Sequence, residues 1–368
     1  MTDRMTYAGV GVDYEAMDPF KRLAQRAGRE TANTILRLGF SEVEMSRGES
    51  AYLMDAGDHY VAHVEEGLGT KNLVADAMYR LTGKSYYDHI AQCTVAMIVN
   101  DMITLGALPL SVAMHLAVGG ASWFNDEKRS RDLIDGWKKA CELARCAWGG
   151  GETPTLKDIV HLEAAVLSGS AVGVIKPKSR LINAAAIQQG DAIVLFGSSG
   201  IHANGLTLAR EVAGKLPKGY LTTLTDGRTY GEALLDPTII YVPFVEDCFN
   251  EGVKIHYAVN ITGHGWRKLM RAPQSFAYII EHIPVPQPVF SFIQEHGPVD
   301  DQEAYANFNM GAGFALYVRE SDVSKVLTIA SRLGISALRA GTIKPSQVKK
   351  VIIQPLGLEY LGSTLGVR

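Results

Sequence analysis

Apolar residues recur along this chain at strand spacing and helix spacing in turn, and each switch marks an element. The clearest switch lies in residues 60–71, YVAHVEEGLGTK. A short strand ends in two acids, Glu65 and Glu66, and Gly67-Leu68-Gly69 makes a turn that leads to Thr70 and Lys71. Leu73, Val74, Ala77, Met78 and Leu81 then fall on one helical face, with Gly83 as the stop. Upstream, residues 7–13 are glycine-rich, and Asp18-Pro19 reads as an N-cap followed by a first-turn proline. A stripe through Phe20, Leu23, Ala27, Ile35 and Leu38 runs to Gly39, and a strand follows near 51–55. Downstream, the pattern predicts a helix over 89–105 with Ala96, Met97, Val99 and Ile103 inward. It then predicts a covered strand over 110–118, a helix over 126–146, a glycine turn at 149–154 and a strand over 162–175.

The basic, proline-containing run 176–180 (KPKSR) separates this half from a second. There the pattern predicts a strand at 192–196, a Gly/Ser loop and a helix carrying Leu206, Ala209 and Val212. A further helix opens at Asp236-Pro237 and reaches Cys248, and shorter helices cover 266–270, 288–295 and 323–333. Strands are expected at 256–259, 276–280, 314–318, 337–343 and 350–353, and residues 356–368 read as a loosely held extension. Periodicity therefore gives two α/β-type halves, divided as 1–176 and 177–368.

Composition narrows the class. A chain of 368 residues suits two domains, and 47% apolar with 20% charged residues suits a soluble globular protein. With 36 basic and 39 acidic residues and no long Lys/Arg run, no nucleic-acid partner is expected. No 18-residue apolar run and no N-terminal apolar segment occur, so neither a membrane span nor a signal peptide is expected. Four cysteines without a CxxC pair read as reduced thiols of a cytoplasmic protein.

Three stretches carry candidate chemistry. Strand, glycine loop and helix around Gly67 and Gly69 point bare backbone N–H groups at an anion. Lys71 would add a charge there, and Glu65 or Glu66 could hold a divalent cation. The spacing is not that of a Walker A loop, and an ordinary βα turn with solvated acids reads equally well. Asn100-Asp101, a polar pair inside an apolar helix, is either a local cap or a nucleotide or metal contact. His202 and Asn204 stand in a second strand–loop–helix unit, Gly197–Gly205, where a histidine is either structural or an acid, base or oxyanion donor.

Taken in order, GLGTK, VAMIVNDM, GGET, GSSGIHANG, LLDPTIIYV, ITGHG and FNMGAGF resemble the aminoimidazole ribonucleotide synthetase (phosphoribosylformylglycinamidine cyclo-ligase) family over nearly the whole chain. The resemblance implies an α+β fold of two domains. The N-terminal one is an antiparallel sheet with helices that pairs across a homodimer, and the C-terminal one is an α/β sandwich. It implies ATP- and Mg²⁺-dependent ring closure of a small ribonucleotide in a groove where domains and subunits meet. Carried over, Gly67, Gly69, Thr70, Lys71, Asn100, Asp101, Gly150, Gly151, Glu152 and Thr153 would bind the nucleotide. Glu66, Asp101 and Glu152 would hold metal, and His202, Lys71 and Asn204 would serve catalysis. The chain departs from the family where Glu65-Glu66 replaces Thr-Asp, where Cys93, Met114 and Val166 replace aspartates, and where Asn260 replaces a histidine, with His264 nearby. These losses keep two alternatives open: a relative of the same fold acting on another substrate, and a non-catalytic nucleotide-binding homologue.

Overall fold

Each half of the chain builds its own sheet. In the computed structural model, which describes residues 5–6, 8–11 and 14–366, the first sheet holds six strands. They are β1 (Ser41–Glu42), β2 (Tyr52–Asp55), β3 (Tyr60–Gly67), β4 (Leu108–Val118), β5 (Ala147–Glu152) and β6 (Ala165–Ile175), in the order β1-β2-β3-β6-β4-β5. The second sheet holds β7 (Ala192–Gly197), β8 (Ile255–Asn260), β9 (Phe276–Ile280), β10 (Ala312–Val318), β11 (Ala337–Pro345), β12 (Lys350–Ile353) and β13 (Leu358–Leu361), in the order β13-β12-β9-β11-β7-β10-β8. Both sheets are mixed, whereas a purely antiparallel N-terminal sheet was expected: β5 runs parallel to β4, and β12 parallel to β9. Buried apolar residues form one continuous core across both halves.

The helices follow the 3.6-residue stripe closely where glycine ends it. Among them, α1 (Tyr14–Glu30) opens the chain, and α2 (Lys71–Thr82) stops at Gly83, whose φ of 74° lets its N–H return to the Tyr79 carbonyl. Next, α3 (Tyr87–Met102) backs β3 and β6, and α4 (Glu127–Leu143) starts at Asp126, whose side chain accepts from the Arg129 amide. In the second half come α5 (Leu206–Lys215), α6 (Tyr230–Leu234), α7 (Val242–Asn250), α8 (Pro288–His296), α9 (Asp301–Asn307) and α10 (Val323–Arg332).

Four expectations change. Pro19 lies inside α1 rather than at its start, and the stripe beyond Glu30 continues as a 3-10 helix, Ala32–Leu38, up to Gly39. Of the glycine-rich stretch 7–13, residues 7, 12 and 13 lie outside the described residues. The glycines at 149–151 form an edge strand instead of a tight turn. A Cβ on Gly149 would meet Ser111 Oγ at 2.1 Å and one on Gly151 would meet Met114 O at 2.2 Å, so the missing side chains let β5 lie against β4. Residues 356–368 are not a loose extension throughout, because β13 pairs antiparallel with β12 and Tyr360 donates to the Gln302 carbonyl at 2.8 Å.

The fourth change fixes how the halves meet. The helix expected from Asp236-Pro237 begins only at Val242. The segment before it is held by a polar stripe on α3. His89 Nδ1 meets the Leu235 carbonyl at 2.9 Å, Gln92 donates to the Thr238 carbonyl at 2.9 Å, and the Thr238 amide donates to Cys93 Sγ at 3.3 Å. Asn100 donates to the Ile239 carbonyl at 2.8 Å and accepts from the Tyr241 amide at 2.9 Å. Positions 89, 92, 93 and 100 share one helix face. A segment whose backbone groups are committed to side chains has none left for a helical ladder.

Candidate active site

A groove of about 540 Å³ opens where this seam reaches the surface, a size that suits a small-molecule ligand. Glu65 and Glu66 enter it from the end of β3, Asp101 from the last turn of α3, and Asn204 from the loop before α5. Thr262 and His264 come from the turn after β8, and Lys268 and Arg271 from the 3-10 turn Gly265–Met270 and the residue after it. Glu49 lines the groove too; it lies 3.5 Å from Arg271 and accepts from Tyr257 Oη.

Charge is crowded in one corner. Burial, and then the Asp101 carboxyl within hydrogen-bonding reach, push Glu66 up to about 8. Asp101 is buried and accepts from Asn260 Nδ2 at 2.7 Å, so the residue at the family's histidine position is an amide that holds this acid. Lys268 donates to Thr262 Oγ1; burial lowers its pKa, while the field of Asp101 opposes that shift. His264 sits at a φ of 68°, and burial followed by the Arg267 charge lowers it to about 3, so the ring is neutral at pH 7.

Other expected site residues stand elsewhere. Lys71 is fully buried: its Nζ donates to the His202 carbonyl at 2.7 Å and the Asp236 carbonyl at 2.6 Å, joining the halves instead of facing the groove. His202 is buried, at a φ of 58°, with Nε2 accepting from the Ser199 amide at 3.2 Å and its ring against Gly313. Asn100 clamps the seam as described. Gly67, Gly69 and Thr70 follow Glu66 at the mouth of β3, with no side-chain cap on the first turn of α2. Gly150, Gly151, Glu152 and Thr153 are exposed at the far edge of the sheet. The register runs Gly67, Ser168, His115, Glu152 across four strands. Three strand spacings put Glu152 roughly 14 Å from the β3 end.

Comparison with known proteins adds the lineage. Family models described as the N-terminal and C-terminal domains of AIR synthase related protein match residues 48–175 and 188–354. The phosphoribosylformylglycinamidine cyclo-ligase of Methanocaldococcus jannaschii is 34% identical over 93% of this chain and 93% of its own. The chain belongs to the AIR synthase family. Another cyclo-ligase of that name, from Thermococcus kodakarensis, is 36% identical over 89% of this chain and 92% of its own. Among solved structures, the fold is shared by Aquifex aeolicus thiamine monophosphate kinase, with a TM-score of 0.55 and 15% identity over 82% of this chain and 90% of that one. It is shared also by T. maritima PurL complexed with ATP, with a TM-score of 0.55 and 14% identity over 85% of this chain and 46% of that one.

The AIR synthase family implies Mg²⁺, and the donor set can be tested for it. Glu66 and Asp101 meet, but Glu152 does not join them, and among the described residues no three His, Cys, Asp or Glu side chains form a metal-sized group. Cys93 is buried against the seam, Met114 faces the core and Val166 is exposed and apolar. Within one chain, then, the three acids do not fit a shared ion. Sequence reasoning missed Lys268, Arg271 and Glu49. The signal present was two cations three residues apart just beyond the Gly-His-Gly turn, at helical spacing that turns both to one side.

Proposed function

We propose that this chain closes the imidazole ring of formylglycinamidine ribonucleotide, using ATP, to give aminoimidazole ribonucleotide. The observation that carries this reading is the meeting of Glu66, Asp101 and Asn204 in one groove at the seam, in a chain whose motifs and family agree. An amide oxygen is a poor leaving group. It attacks the γ-phosphorus of ATP, ADP departs, and the oxygen becomes a phosphate ester. The substrate amine then attacks the imidate carbon, the C–O bond breaks, phosphate leaves with that oxygen, and the amine gives up a proton. Glu66, whose carboxyl is raised into the neutral range, suits the acceptance and return of that proton. Asn204 suits positioning of the amide. The uncapped first turn of α2 beyond Gly67 and Gly69 offers N–H groups to phosphate oxygens. Strands β3, β4 and β5 run in one direction, so the Gly67 turn and Gly150–Thr153 open at the same end of the sheet, which supports a nucleotide lying there.

We further propose that the chain acts in the cytoplasm as two domains divided at 176/177, that Mg²⁺ is carried in by the nucleotide, and that two copies pair. Val166 and Val172 on β6 are 48% and 43% exposed on the sheet face turned away from α3, with the small residues Ser168 and Ser170 between them, a face open to a second sheet. No described helix is long and apolar enough to cross a membrane.

Phosphate release from ATP, Mg²⁺ and formylglycinamidine ribonucleotide is the test. Substrate-dependent phosphate is expected, and Glu66→Gln should lower kcat by about 100-fold. No substrate-dependent phosphate from a folded protein would sink the reading, and ATP binding without turnover on any related amide would favour a non-catalytic role.

A further inference from the structure

Two of the four cysteines stand together where α4 hands over to β5. Ala144 caps the helix, and Arg145 turns into the left-handed region with a φ of 54°. The Arg145 amide then donates back to the Glu142 carbonyl at 3.1 Å, and the Cys146 amide to the Cys141 carbonyl at 3.0 Å. This pair of bonds is a Schellman motif, which brings the side chain two residues past the cap against the one three residues before it. That contact is commonly between apolar side chains; here both are thiols, Cys141 and Cys146. Arg145 holds the reversal in place of a glycine, and its guanidinium reaches α7, donating to Glu246 Oε2 at 2.6 Å and Asp247 Oδ1 at 3.3 Å. Cys141 is buried, Cys146 is half-buried, and both are free thiols. The Cys141 thiol lies within hydrogen-bonding reach of Cys146 Sγ, a contact that draws the Cys146 thiol below its usual range and pushes Cys141 above it. The other two cysteines are placed differently: Cys93 Sγ accepts from the Thr238 amide in the seam, and Cys248 is fully buried on α7.

We propose that Cys141 and Cys146 form a site of reversible oxidation, closed to a disulfide by a hydroperoxide and reopened by a dithiol. Cys146, the more accessible of the two, reacts first as its thiolate. Its sulfur attacks the peroxide, the O–O bond breaks, hydroxide leaves, and a sulfenic acid remains on Cys146. Cys141 Sγ then attacks that sulfur, the S–S bond forms as the S–O bond breaks, and the departing hydroxide takes up the Cys141 proton. Two thiols are oxidised, one peroxide is reduced, and two waters result. A disulfide spans Cα atoms about 4.4–6.8 Å apart. The turn closed by the bond from the Cys146 amide to the Cys141 carbonyl holds its two ends at that kind of separation, so the native corner takes the bridge without being rebuilt. The site lies at the β5 edge of the first sheet, three strands from the end of β3 that lines the groove.

The test uses the full folded chain, reduced, freed of reductant and treated with a small excess of hydrogen peroxide. Remaining thiols are blocked with N-ethylmaleimide, and the protein is digested with trypsin. Arg145 lies between the two cysteines, so cleavage gives peptides 140–145 and 146–157, and a disulfide keeps them joined until dithiothreitol is added. Free thiols counted in denaturant should fall from four to two and return to four with dithiothreitol. In Cys141→Ser, dimedone should trap a sulfenic acid on Cys146, and Cys146→Ser should keep its three thiols. Four thiols persisting after peroxide overturn the proposal. So does a bridge from Cys146 to Cys248, a bridge that forms only after unfolding in urea, or a sulfinic acid on Cys146 beside a free Cys141. The wild-type measurement decides even if neither serine variant folds.

Discussion

His202 looks like a catalytic residue by its neighbours in the chain and like a structural one by its neighbours in space. Ser198, Ser199 and Asn204 surround it in sequence, but its ring is buried and its Nε2 accepts from the Ser199 amide. Burial first, and the Lys71 charge second, lower it from 6.5 to about 3. The sign of the pH effect follows. Between those two values the unfolded chain takes up a proton that the folded chain refuses, so this group's contribution to stability is complete above 6.5 and shrinks as pH falls towards 3. The slope is at most about 1.4 kcal/mol per pH unit. Urea unfolding of wild type and His202→Asn between pH 7 and pH 5 should therefore give the shallower stability curve for the variant. Parallel curves would mean that the folded ring titrates normally.

At the scale of elements, α3 does more than back its sheet. Its inward face is apolar, while its stripe of His89, Gln92, Cys93 and Asn100 takes hold of the segment that leads into α7. Asn100 satisfies one carbonyl and one amide of that segment, both otherwise left without partners in a buried seam. Asn100→Ala should cost about 2–4 kcal/mol, the sum of two such losses. The check is a lower midpoint of denaturation, together with faster proteolysis between 235 and 241. A variant as stable as wild type would mean that the seam is held by apolar contact alone. A similar division runs through the EEGLGTK stretch: Glu65 and Glu66 face the groove, and five residues later Lys71 is a buried bolt between the halves.

At the scale of the molecule, two sheets share one core, and the proposed reaction site lies on the line where the halves meet. The first sheet leaves the Val166 and Val172 side uncovered within one chain. If a second copy covers it, Val166→Glu/Val172→Glu should run as a single chain in light scattering after gel filtration while wild type runs as two. Placing two carboxylates in an apolar contact costs several kcal/mol of association. A variant that stays paired would move the interface to another face.

How much of this was present in the residues alone depends on the range of the interaction involved. Local signals decided the elements: the stripe of α2 and its Gly83 stop, the Asp126 cap of α4, and the alternation along β6 all act within a few residues. The order of the glycine motifs decided the family, because each motif is read from consecutive side chains. Tertiary structure decided the rest. The glycines at 149–151 look like a turn until β4 lies beside them, and Asp236-Pro237 looks like a helix start until α3 claims the backbone that follows. The charge of a site is decided over still longer separations. Lys71 lies five residues from Glu66 and bonds to carbonyls more than 130 positions away, whereas Lys268, some 200 positions on, shares a groove with that glutamate. Which acid meets which cation is set by the packing of two sheets, and no spacing along one chain encodes it.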